Sequence, residues 1–599
     1  MRGGQKALQN HITSHAAAGV GGVRALTHRG GAALIAGVCQ GVFMSGLLSR
    51  FLTVFLVFAL AACATSEAPL PPEIAAAAAD AQEEDSAAAR MRADIAWLAD
   101  DAREGREAGT QGYEDAADYV AARLKTMGVE PGADGQWKQK VPLVSGTPVL
   151  EAAAFSVTSP EGEEQTLTTL DDFVVYPSIA SDTFEIADAP AVFVGYGVHA
   201  PSFNHDDYAG VDVKGKVVVY FSGAPDIFDN ESRAHFNSSS LKAKEASARG
   251  AVGAIVLPSA ASEKRTPWER RIANPRYSLM TWRWPDGRPE TSGPNIQGTA
   301  FIRAGKAPLL FDGAPVTYEA LRAAANGEVE MPGGFDLAVK VSMAGAMMRE
   351  DLTSSNVAGL IPGADPELKD EYVILTAHLD HIGINERRLE EGKDAINNGA
   401  MDNATGVATM LEAARRFTEE GAPKRSVLIL AVTAEEKGLL GADYFAHFPT
   451  IGDGEMVANV NLDMPVMLHE FTDVIAFGAE RSSIGAVMKA ALEETRVALA
   501  PDPIPELGIF TRSDHYRFVE KGVPSIFLWT GFANGGEEKF WDFYKNHYHK
   551  PSDDITQPIL YDELARFAEI NYIIARALAN APQKPAWNEG DFFGDLFAK

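Results

Sequence analysis

Two cysteines, Cys39 and Cys63, are all that this chain of 599 residues contains. A disulfide framework is therefore excluded, and stability must come from burial and packing. Basic residues are also scarce, with 53 Lys and Arg against 82 Asp and Glu. Five of them, Arg2, Lys6, Arg24, Arg29 and Arg50, fall within residues 1–62, which hold no acidic residue; the remainder has 48 basic against 82 acidic residues and a net charge of −34. Such a surface repels nucleic acid and anionic lipid head groups, so neither is an expected partner. The apolar run at residues 51–63 is too short to cross a bilayer as a helix.

That run, Phe51-Leu52-Thr53-Val54-Phe55-Leu56-Val57-Phe58-Ala59-Leu60-Ala61-Ala62-Cys63 behind Arg50, has the positive flank and small-residue end of a cleaved export signal. Leu60-Ala61-Ala62-Cys63 resembles the bacterial lipobox, which implies lipidation of Cys63, a membrane attachment through that lipid only, and a translation start at Met44. Ala64 and Thr65 stand where an aspartate retains such proteins at the inner membrane. The expected location is the periplasmic side of the outer membrane of a Gram-negative cell.

A chain of this length needs more than one core. Residues 1–62 read as the export leader and 63–88 as a tether, because the alanine stretch and Glu83-Glu84-Asp85 carry no sustained amphipathic pattern. From Met91 apolar residues recur at helical spacing, opening a first catalytic segment at 89–145. Residues 146–348 hold short β-rich runs punctuated by Gly and Pro, an inserted domain. Residues 349–582 alternate apolar strands (372–375, 427–432, 457–462, 474–477 and 525–529) with helices (403–419, 482–498 and 561–578), and 583–599 form a tail. This alternation predicts an α/β fold, a mostly parallel sheet covered by helices on both faces, with ligands bound beyond the carboxyl ends of its strands.

Candidate chemistry gathers at those ends. His378 closes a strand in Thr376-Ala377-His378-Leu379-Asp380-His381, and Asp380 is close enough in sequence to orient its ring. Asp402 follows Gly399-Ala400-Met401 just before a helix, where an N-cap is an equally good reading. Glu435 and Glu436 follow an apolar strand, and alternation of side chains would turn one toward a metal and leave its neighbour free to move a proton. Asp463 ends the run 457–462, and a buried unpaired carboxylate is costly. His549 lies in a loop with His547 as a competitor. Mixed nitrogen and carboxylate donors suit zinc, and five exceed what one tetrahedral ion needs if a water is to remain on it.

Together these residues resemble the co-catalytic zinc peptidase family that includes bacterial leucyl aminopeptidases, aminopeptidase Y and glutamate carboxypeptidase II. The resemblance covers about residues 90–145 and 350–580. It implies a zinc exopeptidase-like fold and two zinc ions, with Asp402 bridging them, His378 and Asp463 on one, Glu436 and His549 on the other, Glu435 as general base and Tyr548 stabilising the intermediate. By the same resemblance Arg512, Ser513, Asp514 and His515 line the substrate pocket. The insert resembles the protease-associated domain through Gly195-Tyr196-Gly197, Asp207-Tyr208, Val213-Lys214-Gly215-Lys216-Val217-Val218 and Gly250-Ala251-Val252-Gly253-Ala254, in that order. Met401, where a polar residue is more usual, and Thr405, in place of a serine, are the departures. The implied activity is that of a metallo-exopeptidase acting on peptides, an aminopeptidase before a carboxypeptidase or dipeptidase; a one-zinc glutaminyl cyclase and a non-catalytic binding protein are the alternatives. Oligomeric state is not legible.

Overall fold

All seven residues of the strand Ser426–Val432 are buried in the computed structural model of the chain, which describes residues 70–273, 278–493 and 495–598. A strand buried along its whole length must be covered on both faces, and its parallel neighbour shows how. Val373, Leu375 and Ala377 of Glu371–His378 face a core built with the helices Gln111–Thr126, Thr405–Glu420 and Tyr561–Asn580, whereas Ile374 faces a second core with Phe445 and Phe518. Across the catalytic part the strands lie in the order Ala498–Ala500, Asp473–Phe477, Ser525–Thr530, Glu455–Asn461, Glu371–His378, Ser426–Val432 and Phe335–Ile361. The four from Ser525–Thr530 to Ser426–Val432 are mutually parallel. The sheet is the mostly parallel, helix-covered one expected.

The insert has its own cores, packed on both faces of strands Thr183–Phe193, Val217–Phe221, Gly253–Leu257 and Gly298–Ile302, which are parallel to one another. Its limits differ from the expected 146 and 348. Lys138–Thr158 and Phe335–Ile361 are single long strands, paired from Lys138↔Val357 to Thr158↔Lys340, so they run as one antiparallel ribbon out of the catalytic sheet and into the insert. Backbone pairing does not stop where composition changes. The ribbon makes one sixteen-stranded sheet of the two parts.

Two further expectations are corrected. Within the stretch read as a tether, Pro72–Glu83 is a helix that buries Ile74, Ala78 and Ala81; alanines offer little apolar contrast in sequence but allow close packing on Gln111–Thr126. The helix expected over 482–498 is Ile484–Leu492, followed by the edge strand Ala498–Ala500. No helix among the described residues is long and apolar enough to cross a membrane. Met44 and Cys63 lie outside the described residues.

Candidate metal centre

Parallel strands deliver their carboxyl ends to one edge, and the candidate donors sit there. His378 is the last residue of its strand, Asp463 comes two residues after Glu455–Asn461, and Glu435 and Glu436 follow Ser426–Val432 through Thr433 and Ala434. Asp402 enters from the turn before Thr405–Glu420. Gly399 makes that turn at φ +59°, and a Cβ there would lie 2.2 Å from the Asp402 carbonyl oxygen and 2.7 Å from the His381 ring, so only glycine fits. His549, at φ +55°, follows the helix Gly536–Asn546.

The side chains converge. His378 Nε2 lies 3.0 Å from Asp463 Oδ1 and 3.3 Å from Asp402 Oδ1. On the other side His549 Nε2 is 3.2 Å from both Asp402 Oδ2 and Glu436 Oε2, and His381 Nδ1 is 2.8 Å from Glu436 Oε1. Asp402 thus turns one oxygen to each histidine set. Donor atoms of His378, Asp402 and Asp463 fall within 4.8 Å of one another, as do those of His381, Asp402 and Glu436. Carboxylates crowded this closely in a buried place require cations, and imidazole with carboxylate is a donor set that zinc accepts. His381 Nε2 is buried without a hydrogen-bond partner. The residues fit two metal ions.

The expected role of Asp380 is corrected. His378 Nδ1 is 3.1 Å from the Asp380 backbone carbonyl, so the peptide oxygen, and not the carboxylate, orients the ring and leaves Nε2 toward the acids. The Asp380 carboxylate accepts the backbone N–H groups of Glu435 (3.0 Å) and Glu436 (3.3 Å). These two glutamates stand in a turn beyond the strand, so Asp380 rather than strand alternation fixes them. Asp553 does the same for the bridging position, accepting from the backbone N–H of Met401 (2.8 Å) and Asp402 (3.0 Å). Burial pushes Asp380 up to about 7 and Asp553 up to about 8. Beneath the turns Arg106 is 1% exposed and donates to the carbonyls of Leu98, Leu379, Asn398 and Gly399. Its burial pulls the guanidinium down to about 10, although Asp553, Asp380, Asp402 and Glu436 counteract this.

Glu435 faces the cleft beside these donors, and burial, then the nearby Glu436, Asp514 and Asp463, holds its carboxyl well above the usual range despite His378. Glu436 is drawn down to about 2: burial, the largest influence, and Asp402 oppose this, but the hydrogen bonds of His381 and His549 prevail. Tyr548 stacks on His549, its phenol raised by burial. Of the four residues expected to line the pocket, Arg512 and Ser513 do, and Ser513 Oγ donates to Asp463 Oδ2 at 2.6 Å. Asp514 and His515 do not line it: both are fully buried behind it, which raises Asp514 to about 8 and lowers His515 to about 3. They open the helix His515–Val519, whose first turn faces inward.

Sequence reasoning missed His381, Asp553 and Arg106. His381 directly follows Asp380 and ends the motif that holds His378, and Asp553 lies four residues after His549. Arg106 gave no signal beyond following Gly105 within the first catalytic segment.

The chain matches the model of peptidase family M28 over residues 356–574, a span containing all the candidate donors from His378 to His549. The match covers less than half of the chain, which over that span is similar to peptidase family M28. A probable zinc metalloprotease of Pyrenophora tritici-repentis is 26% identical over 265 residues, covering 38% of this chain and 57% of that protein. A probable leucine aminopeptidase 2 of Aspergillus oryzae is 28% identical over 224 residues, covering 35% and 41%. The chain thus spans about half the length of these curated relatives. An aminopeptidase from an Aneurinibacillus species is a similar solved structure, at 19% identity and TM-score 0.45, covering 82% of this chain and 92% of its own. Both curated relatives are fungal, which overturns the expected location.

Proposed function

We propose that this chain is a member of peptidase family M28, a zinc-dependent exopeptidase using two metal ions, and an aminopeptidase in substrate preference. The observation that carries the reading is Asp402, whose two carboxylate oxygens each face a separate histidine-containing donor set. His378, Asp402 and Asp463 would hold one zinc, and Asp402, Glu436 and His549 the other, with His381 against Glu436. When bound, the ions supply positive charge opposite the developing oxyanion and make water a better nucleophile near neutral pH.

The chain's own residues supply the remainder. Glu435, not paired to either histidine set, takes the proton from the attacking water and returns it to the leaving amine. The Tyr548 hydroxyl, kept protonated by burial, donates to the oxyanion. Met464, Ile509, Phe527 and Trp529 wall the cleft and suit an apolar N-terminal side chain, while the crowded carboxylates attract a free ammonium. The insert, read as a protease-associated domain, shapes access.

Arg512 in the cleft supports a second reading, a carboxypeptidase, since its guanidinium could pair with a terminal carboxylate. The test is hydrolysis by the zinc-loaded chain of leucyl peptides with free or acetylated N-termini, each with a free or amidated C-terminus. Cleavage that requires the free amine and tolerates the amide is expected. The opposite pattern would favour the carboxypeptidase, and no cleavage of any of the four would sink the exopeptidase reading.

A further inference from the structure

Four segments distant in sequence meet behind one wall of the cleft. Residues 504–516 deliver Ile509, Arg512 and Ser513 to the cleft. Their outer side is covered by the insert helix Asn230–Phe236 and by the C-terminal helix Phe592–Phe597. Tyr516 OH is hydrogen-bonded to Nδ1 of His235 on the insert helix, and the two residues are 7% and 4% exposed. Gly508 lies so close to the same helix that a Cβ on it would be 2.5 Å from Ala234. Arg481 ties the assembly together. Its guanidinium pairs with Glu231 of the insert helix and, at 2.9 Å, with Asp591 at the start of the C-terminal helix, and it lies over the rings of Phe510 and Phe593 at 5.3 and 4.9 Å. Phe593 is fully buried, with its ring centroid 5.3 Å from that of Phe510 and 5.8 Å from that of Tyr516.

We propose that the insert helix and the C-terminal helix act jointly as a buttress for the 504–516 loop, with His235, Tyr516 and Arg481 as positioning residues for substrate binding. Partly buried ion pairs and a buried hydrogen bond fix one register where apolar packing alone would allow several. The loop is coupled to the metal centre through Ser513, whose hydroxyl donates to Asp463 and accepts from Asn461 at 2.7 Å. Because Asp463 also has His378, loosening the loop disturbs the substrate wall before it disturbs the metal. The substrate-binding part of this proposal rests on the exopeptidase reading above; the mechanical part does not.

Tyr516→Phe removes only the hydroxyl, and Arg481→Gln removes the charge that joins the insert to the C-terminal helix. Amide hydrogen exchange in residues 504–516 of the zinc-loaded full chain is expected to quicken roughly 2- to 10-fold in each variant, the equivalent of one lost buried hydrogen bond, with zinc content unchanged. On a leucyl peptide KM should rise by a similar factor while kcat stays within about twofold. Wild-type exchange in that loop in both variants would overturn the buttress. So would loss of zinc in Tyr516→Phe, because the residue would then serve the metal centre. Exchange is read without turnover, so it decides the mechanical claim even if the wild-type chain hydrolyses no peptide.

Discussion

At the scale of single residues, adjacent identical side chains divide their labour because the backbone beneath them is held. Asp380 accepts the N–H groups of both Glu435 and Glu436 and sets them side by side, yet Glu436 faces His381 and His549 while Glu435 faces the cleft. Glu435→Gln is expected to keep both zinc ions and lose roughly 10²- to 10⁴-fold in turnover, the usual contribution of a general acid-base group. Glu436→Gln should instead lose part of its zinc. Metal analysis and peptide hydrolysis on identically purified variants check this. Full activity in Glu435→Gln would remove it from the mechanism, and zinc loss confined to that variant would mean the roles are exchanged. The donor types other than His549 were legible in the sequence because each follows an apolar run or precedes a helix. His381 was not, since a histidine beside another candidate looks like its neighbour until the fold shows which way each ring points.

At the scale of elements, the N-terminal helices are stapled to the catalytic core by a buried polar cluster. Asp94 on the helix Ala87–Leu98 accepts from Arg123 Nε at 2.7 Å and from Tyr119 OH at 2.7 Å, and Arg123 Nη1 also donates to Gln82 at 2.7 Å. The side chains of Arg123 and Asp94 are 1% and 2% exposed. Asp94→Ala would strand a buried guanidinium, and a loss of about 3–5 kcal/mol is expected from removing one partner of such a pair. Urea unfolding followed by tryptophan fluorescence measures it, since Trp97 stacks on Tyr119 at 4.1 Å. A loss below about 1 kcal/mol would mean the cluster is relieved by water, which a surface pair would allow. Helices with strong apolar contrast, such as Thr405–Glu420, were legible within a residue or two. Pro72–Glu83 was not, because its buried alanines resemble its exposed ones in sequence.

At the scale of the whole molecule, the stability of the metal-free chain and the increment that zinc adds to it should depend on pH in opposite directions. In the metal-free chain burial raises Asp514 and Asp553 to about 8, and the hydrogen bonds of Asp402 and Glu436 outweigh burial to raise His549 to about 10. Between about pH 6.5 and 8 these groups hold more protons folded than unfolded, so stability falls as pH rises. His235 and His515, lowered by burial to about 4 and 3, are neutral when folded but partly protonated when unfolded near pH 6.5, so they add a smaller slope of the opposite sign at the low end of this window; Glu436, near 2, is ionised in both states. Zinc needs neutral imidazoles and ionised carboxylates, so its binding strengthens as pH rises. Chemical unfolding in chelator is expected to give a more stable chain at pH 6.5 than at pH 8, while the increment from added zinc grows over the same interval. A metal-free chain more stable at pH 8 would contradict the protonated carboxyls.

The residues themselves determined the strand and helix alternation and the donor chemistry, because local periodicity records which face of an element is buried and because few side-chain types can hold a divalent ion. Tertiary structure alone decided three things: that one ribbon carries the sheet from the catalytic part into the insert, that Asp380 steadies the two glutamates instead of the histidine, and that the insert and the C-terminal helix meet behind residues 504–516. Each depends on register between segments tens to hundreds of residues apart, and register is set by the packing of the whole, which no local pattern encodes.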